Sequence, residues 1–384
     1  MKNLYIDIHA LQTLPPNNIN RDESGSPKTA IYGGIVRQRV SSQAWKRAIR
    51  SDFEESFDAE VLGKRTKNVV TMLANAITAK APEHADEAQV WAQAALLAAK
   101  IKTDAPKKRV AKPKKGEMAP EPEAEQMPVS GYLLFLGVAQ ANKLADLIIS
   151  GNGTVAAKDA TKVLKADHAV DVALFGRMIA DAQDLSVDAS AQVAHAISIH
   201  EATPEFDYYT AMDDLKRDKG EEAGADMIGT VEFTSSTLYR YATVNINSLH
   251  GTLGDADLVA KATAGFVGSF IRSMPTGKQN SFANRTLPDA VVISISHDQP
   301  LSWVGAFEEE VHATDGKSRM RVASEVLVQH VKGFDGSYGL KTTRFVSTPN
   351  QAAAALAALG STGSIDDAIG EVDRMVREHL EAAK

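Results

Sequence analysis

The stretch Ile35–Arg50, IVRQRVSSQAWKRAIR, changes its periodicity halfway along, and that change constrains the fold more than any other feature. Up to Val40 the residues alternate, so Arg37 and Arg39 share one face of a strand while Val36 and Val40 take the other. Ser41 or Ser42 then suits a helix N-cap. Beyond it Gln43, Lys46, Arg47 and Arg50 stand at i, i+3, i+4 and i+7, opposite an apolar face of Trp45, Ala48, Ile49 and Phe53. A strand that runs straight into an amphipathic helix calls for a sheet with a helix packed on it. Lys46 and Arg47 sit too near the helix start to favour its dipole, and no acid occupies the first turn. Open N–H groups, a hydroxyl and several cations at one place make an arrangement suited to phosphate. The same stripe also suits a solvated basic helix face, and spacing alone does not separate the two.

Charge distribution favours the first reading. The chain of 384 residues carries a net charge of −7, yet Asn20–Arg50 holds seven cations, Arg21, Lys28, Arg37, Arg39, Lys46, Arg47 and Arg50, against Asp22 and Glu23. A segment of net charge +5 in an acidic protein marks a local anion-binding groove. The polar loop Thr13–Pro27 carries Arg21 and leads to Lys28, so it is expected to line the same groove.

Catalytic and metal motifs are missing. Cysteine is absent, which excludes disulfides, zinc ribbons and thiol nucleophiles. There is no G-x-S-x-G or H-E-x-x-H. Acidic runs occur at Asp22-Glu23, Asp213-Asp214 and Glu308-Glu309-Glu310, the last in a segment expected to be helical. Only Asp22, beside Arg21, has reach to a phosphate in that loop, and no second metal ligand accompanies it. The expectation is a protein without catalytic residues, metal or cofactor. No apolar run approaches the roughly 18 residues of a membrane span. MKNLYIDIHAL enters a strand pattern directly, without signal-peptide regions, so a cytoplasmic location is expected.

Along the chain, Asn3–Leu11 reads as a strand whose His9 is more simply structural than ligand-facing. Helices are expected over about Thr66–Lys80, Asp86–Lys100 and Tyr132–Ser150. Thr103–Pro128, rich in Lys, Pro, Glu and Ala, cannot build a core and reads as a flexible insertion. His168–Phe175 alternates like a strand and ends in Gly176-Arg177-Met178, a turn presenting a cation and a flexible apolar side chain. Val193–His200 and Gly229–Ile246 are further strands. The excursion between them, from Ala202 to Met227 with Phe206, Tyr208 and Tyr209, is too long for an ordinary loop and suggests an arm projecting from the sheet. After a helix at Asp255–Met274, the loop Pro275–Asn280 offers Gly277, Lys278 and Gln279 as weak phosphate contacts. It lacks the spacing of a Walker A motif. Ala290–Ser296 is a strand, and Arg319–Val331 and Ser364–Ala383 are helices. The order is α+β and suits a ferredoxin-like or RNA-recognition-motif core with large insertions.

Several of these stretches together resemble the CasC family, the backbone subunit of type I-E Cascade. They are the first strand ending in His9, Asn20-Arg21-Asp22, Ala30-Ile31-Tyr32-Gly33-Gly34, Arg39-Val40-Ser41-Ser42-Gln43 and Lys46-Arg47-Ala48. Val170–Leu174, Gly176-Arg177-Met178, Ala194-His195-Ala196-Ile197, Thr210–Asp214 and Tyr239-Arg240-Tyr241-Ala242 continue it in order through most of the chain. The Thr103–Pro128 insertion and the C-terminal stretch depart from the family pattern. The resemblance implies a modified ferredoxin-like palm in three parts (1–58, 168–201 and 229–384, the last with C-terminal helices), an inserted helical fingers domain (59–167) and a β-hairpin thumb (202–228). It implies a protein that polymerises head to tail along a CRISPR RNA and presents the guide bases to target DNA. Its partners would be further Cascade subunits and a recruited helicase-nuclease, with no membrane; the alternative it implies, by likeness to backbone subunits of other CRISPR types, is a metal-dependent endoribonuclease using Asp22. The RNA contacts expected are Arg21, Lys28, Arg37, Arg39, Ser41, Ser42, Gln43, Lys46, Arg47, Arg50, Arg177, Met178, Gly277, Lys278 and Gln279. Met178 would lie near a flipped nucleotide, and Phe206, Tyr208 and Tyr209 would belong to the thumb. Such contacts grip phosphates and 2′-hydroxyls and leave sequence reading to base pairing.

Overall fold

The computed structural model describes residues 2–105, 127–211 and 227–382. Most of the lysine-rich insertion, from 106 to 126, lies outside the described residues, as do Met212, Asp213 and Asp214. The chain forms two compact units, one of Met1–Phe53, Ala191–Asn247 and Ala256–Lys384, the other of Glu54–Ser190 and Ser248–Asp255.

The first unit is built on one large sheet. Its strands run in the order Ser361–Thr362, Thr343–Ser347, Ala290–Ser296, Tyr5–Asn17, Met227–Asn245, Ala196–Ser198, Ile35–Val40 and Thr29–Tyr32. Tyr5–Asn17 is central, antiparallel both to Met227–Asn245 and to Ala290–Ser296. From Ile6 to Gln12 its side chains are all buried, alternating between two layers. His9, on one face, stacks on Trp303 with ring centroids 3.4 Å apart and shares a 2.9 Å hydrogen bond with the Tyr239 hydroxyl. Burial holds its pKa well below the usual histidine value, so it is a neutral core residue.

The helix Ser42–Ser56 covers the other face with Trp45, Ile49 and Phe53, the apolar stripe read from the sequence. Burial of each such side chain contributes about 1.5–3 kcal/mol. Helix Ala256–Arg272 joins this layer through Phe266 and Phe270. Arg240, from the long strand, lies between them. Its guanidinium is 3.7 Å from the Trp45 ring centroid and 4.6 Å from that of Phe270, and it donates to Gln12 Oε1 at 2.6 Å and to the Phe270 carbonyl. Burial alone pulls the Arg240 pKa down to about 9.

Strand Met227–Asn245 spans 19 residues and changes partners along its length. Its C-terminal part pairs with Tyr5–Asn17, and Met227–Phe233 pairs with Glu205–Ala211 as an antiparallel ribbon. Tyr209 lies opposite Gly229, where an added Cβ would come within 2.5 Å of the tyrosine ring, so only glycine leaves that ring its place.

The second unit packs helices Val69–Lys80, Ala88–Ala98, Val138–Ser150 and Ala157–Lys165 around one apolar cluster. Several sequence expectations change. Leu134–Gly137 is a strand paired with Gly63–Thr66, and the helix expected from Tyr132 begins only at Val138. Val170–Phe175 is a helix, not a strand. All of Val170–Leu174 is buried, so its alternation marks no exposed face, and short apolar runs do not distinguish strand from helix. The sheet unit stops at Phe53 and resumes at Ala191, whereas the sequence reading places these boundaries after residues 58 and 167. Glu308–Glu310 follow a short 3-10 turn, Val304–Phe307, and are not helical.

Candidate nucleic-acid interface

The start of helix Ser42–Ser56 is tied to the basic loop by asparagines. Ser41 caps the helix, its Oγ accepting from Ala44 N at 3.3 Å, while Ser41 N donates to Asn20 Oδ1 at 2.7 Å. Asn20 O accepts from Lys28 N at 2.9 Å, and Lys28 O from Arg39 N at 2.8 Å. Asn18 Nδ2 holds the loop from within, donating to Gly25 O and Glu232 O, each at 2.9 Å. Arg21, Lys28, Arg39, Ser42 and Gln43 thus belong to one hydrogen-bonded assembly of loop, strand and helix start. The 275–280 loop joins it. A Cβ at Gly277 would stand 2.4 Å from Ile19 O, so the backbone there approaches as only glycine allows, and Lys278 adopts the left-handed conformation with φ of 52°.

His195 completes the cluster. It sits in the break between strands Ala191–Val193 and Ala196–Ser198, where its Nδ1 accepts from Arg39 Nη1 at 3.1 Å. Arg39 Nε also donates to Thr29 O at 3.2 Å. Desolvation, then the charges of Arg39 and Lys28, lowers the His195 pKa and keeps the ring a neutral acceptor for Arg39. Among the described residues, no carboxylate lies within ion-pair distance of Arg21, Lys28, Arg39 or Arg47. Arg47 and Gln43 are exposed on the helix, and Lys46, Arg50 and Ser42 are half-buried. Arg39, held by a carbonyl and a histidine instead of by an acid, keeps its charge available to an anion.

Two arginines do not belong to this surface. Arg37 is fully buried, donating to the carbonyls of Tyr32, Ser198, Phe307 and Glu308 at 3.1–3.3 Å. It joins segments of the sheet unit and has no donor left facing solvent; the sequence reading that counted it as an RNA contact is corrected. Arg177, in the second unit, is likewise buried, donating to Leu185 O, Leu164 O and Gln140 Oε1. Burial lowers its pKa to about 10. Its expected role as an RNA contact is corrected in the same way. Its neighbour Met178 is 81% exposed, beyond Gly176 with φ of +78°. On the ribbon, Phe206 and Tyr208 share one exposed face, and Tyr209 is on the other.

Asp22 serves its own turn. One carboxylate oxygen accepts from Ser24 Oγ at 2.7 Å, Ser24 N at 2.9 Å and Ser26 N at 3.0 Å. The Ser24 hydroxyl is the main cause of its lowered pKa. No group of three or more potential metal-ligating side chains occurs among the described residues, and none of their helices is long and apolar enough to cross a membrane.

Sequence reasoning passed over His195, Asn18 and Asn20 as contributors. The signal for the asparagines was the run Asn17-Asn18-Ile19-Asn20, polar side chains able to replace sheet hydrogen bonds in a loop. For His195 it was a histidine interrupting a strand pattern.

Comparisons with known proteins agree with one another. The CT1975-like protein family matches residues 6–371. A chain of a solved structure described as "CRISPR RNA-guided surveillance complex, pre-nicking" is 32% identical, with a TM-score of 0.79 over 96% of this chain and 100% of that one. A second, described as "CRISPR RNA-guided surveillance complex", is 29% identical, with a TM-score of 0.70 over 96% of this chain and 99% of that one. No curated protein sequence matches.

Proposed function

Because the chain belongs to the CT1975-like protein family, we propose that it is a non-catalytic, RNA-binding backbone subunit of a type I-E CRISPR surveillance complex. Copies line up along the CRISPR RNA in the cytoplasm, hold its sugar-phosphate chain and leave its bases free to pair with target DNA. Other Cascade subunits and a recruited helicase-nuclease complete the assembly. The observation that carries this reading is the cluster of Arg21, Lys28, Arg39 and His195 at the start of a helix bearing exposed Arg47, in an acidic chain. The side chains are of types that grip phosphate and 2′-hydroxyl groups.

The strand order supports a ferredoxin-like palm. Tyr5–Asn17, helix Ser42–Ser56, the strands at 191–198, Met227–Asn245, helix Ala256–Arg272 and Ala290–Ser296 succeed one another as βαββαβ, with the first strand between the last and the third. The helical unit corresponds to fingers, and the ribbon Glu205–Ala211 with Met227–Phe233 to the base of a thumb. Asp22, engaged in its own turn, gives the endoribonuclease alternative no favouring observation.

The test is binding of labelled single-stranded RNAs of unrelated sequence to the intact chain. Lys46→Ala with Arg47→Ala is expected to weaken all of them to a similar degree and to flatten the salt dependence. Loss confined to one sequence would overturn the reading.

A further inference from the structure

The sheet unit carries a second surface with the opposite character. Helix Arg319–Tyr338 buries Met320, Ala323, Leu327 and Val331 against the core, and its outer face forms one wall of a groove of about 1090 Å³. Along that wall three rings stack at successive turns. His330 and Phe334 lie 4.5 Å apart at 30°, and Phe334 and Tyr338 5.6 Å apart at 24°. Tyr338 is 72% exposed, far more than a core aromatic. The facing wall brings Glu308 and Glu309, both exposed and without an ion-pair partner among the described residues. No lysine or arginine lines the groove. The buried guanidinium of Arg37 reaches the Phe307 and Glu308 carbonyls of the wall and is engaged with them. Burial lowers the His330 pKa, so this ring adds no positive charge at neutral pH.

Gly333 lies between the rings on this face. A Cβ there would meet nothing within 4 Å, so packing within the chain does not demand glycine, although glycine weakens a helix interior relative to alanine. The omitted side chain leaves room for a visitor. Two carboxylates without ion-pair partners among the described residues repel phosphate and attract cations, and the stacked rings beside them offer an apolar wall for the aliphatic stems of lysine or arginine.

We propose that this groove docks a lysine- or arginine-bearing segment of a protein partner, with the aliphatic stems of its cationic side chains packed along the His330–Phe334–Tyr338 column and their charges paired with Glu308 and Glu309. Nucleic acid is held by the basic surface and protein by this acidic aromatic one, so the subunit engages two kinds of partner through separate faces of one unit.

The test is fluorescence anisotropy of a labelled peptide alternating arginine and glycine, titrated with the full-length chain. Phe334→Ala with Tyr338→Ala leaves the charge unchanged and is expected to weaken peptide binding at least fivefold; Glu308→Gln with Glu309→Gln is expected to do the same. Neither pair should alter affinity for single-stranded RNA. Gly333→Leu, which points into open space, is expected to preserve the melting temperature and block the peptide, so a folding defect in the aromatic pair does not obscure the result. Peptide affinity unchanged in the aromatic pair and in Gly333→Leu would overturn the proposal. So would displacement of the peptide by RNA that persists in the Arg39→Gln variant, or self-association lost in these variants without competition from peptide.

Discussion

Arg37 and Arg39 lie two residues apart on one strand and should respond to substitution in opposite ways. Arg39 is half-exposed, held by Thr29 O and His195, with no carboxylate near it among the described residues. If it contacts an RNA phosphate, Arg39→Gln removes one counterion-releasing contact. The slope of log K against log salt should then fall by about 0.7, which is roughly a two- to threefold smaller loss of affinity for a fourfold rise in salt. Thermal stability should stay within about 0.5 kcal/mol of the parent, as for an exposed position. Arg37→Gln should leave the slope alone and strike the fold, because carbonyls of Tyr32, Ser198, Phe307 and Glu308 lose their shared donor. Unsatisfied buried acceptors cost about 1–3 kcal/mol each, and allowing for partial relaxation the sum is roughly 3 kcal/mol. Salt titrations of RNA affinity and denaturant melts of both variants measure the two effects separately. A flattened slope in Arg37→Gln with an unchanged melt, or an unfolded Arg39→Gln, would refute the assignment.

Asp7 is buried, and desolvation raises its pKa from 3.8 to about 6 despite hydrogen bonds from Leu301 N and the Tyr241 hydroxyl. Its ionisation therefore opposes folding. The penalty begins above pH 4 and is complete above pH 6, at about 3 kcal/mol, so the parent should be less stable at pH 8 than at pH 5, and Asp7→Asn should remove most of that difference in denaturant melts. Gly277→Val would drive a side chain into Ile19 O, displace the basic loop and weaken RNA binding several-fold, as read by filter binding. Met178→Ala, at an 81% exposed site, should leave the melt unchanged and alter chemical reactivity of bound RNA at regular intervals along the strand.

Much of the sheet unit was legible because its patterns were strong. The switch from period two to period 3.6 at Val40 located both a strand and the buried Trp45–Ile49–Phe53 stripe. Ala290–Ser296 appeared with its observed limits because an apolar run bounded by polar loops has few other uses. The failures have a common physical cause: periodicity reports faces only where one face is wet. Val170–Leu174 is buried all round, so its helix looked like a strand. Arg37 and Arg177 looked like surface cations because sequence does not reveal that nearby carbonyls will lack partners and recruit a guanidinium. His195 was inconspicuous because its significance comes from Arg39, 156 residues away in the chain.

The double membership of strand Met227–Asn245 has a mechanical consequence. Beyond Phe233 it leaves the ribbon and pairs instead with Tyr5–Asn17, resuming at Thr234 opposite Asn17 across a break in register. A tug transmitted along the ribbon would load the ladder between these two strands in shear, against many hydrogen bonds at once. A sideways push would instead concentrate its leverage at the irregular joint. The element is thus stiff to tension and compliant to bending, a combination suited to a clasp that must stay attached while it adjusts to whatever it closes over.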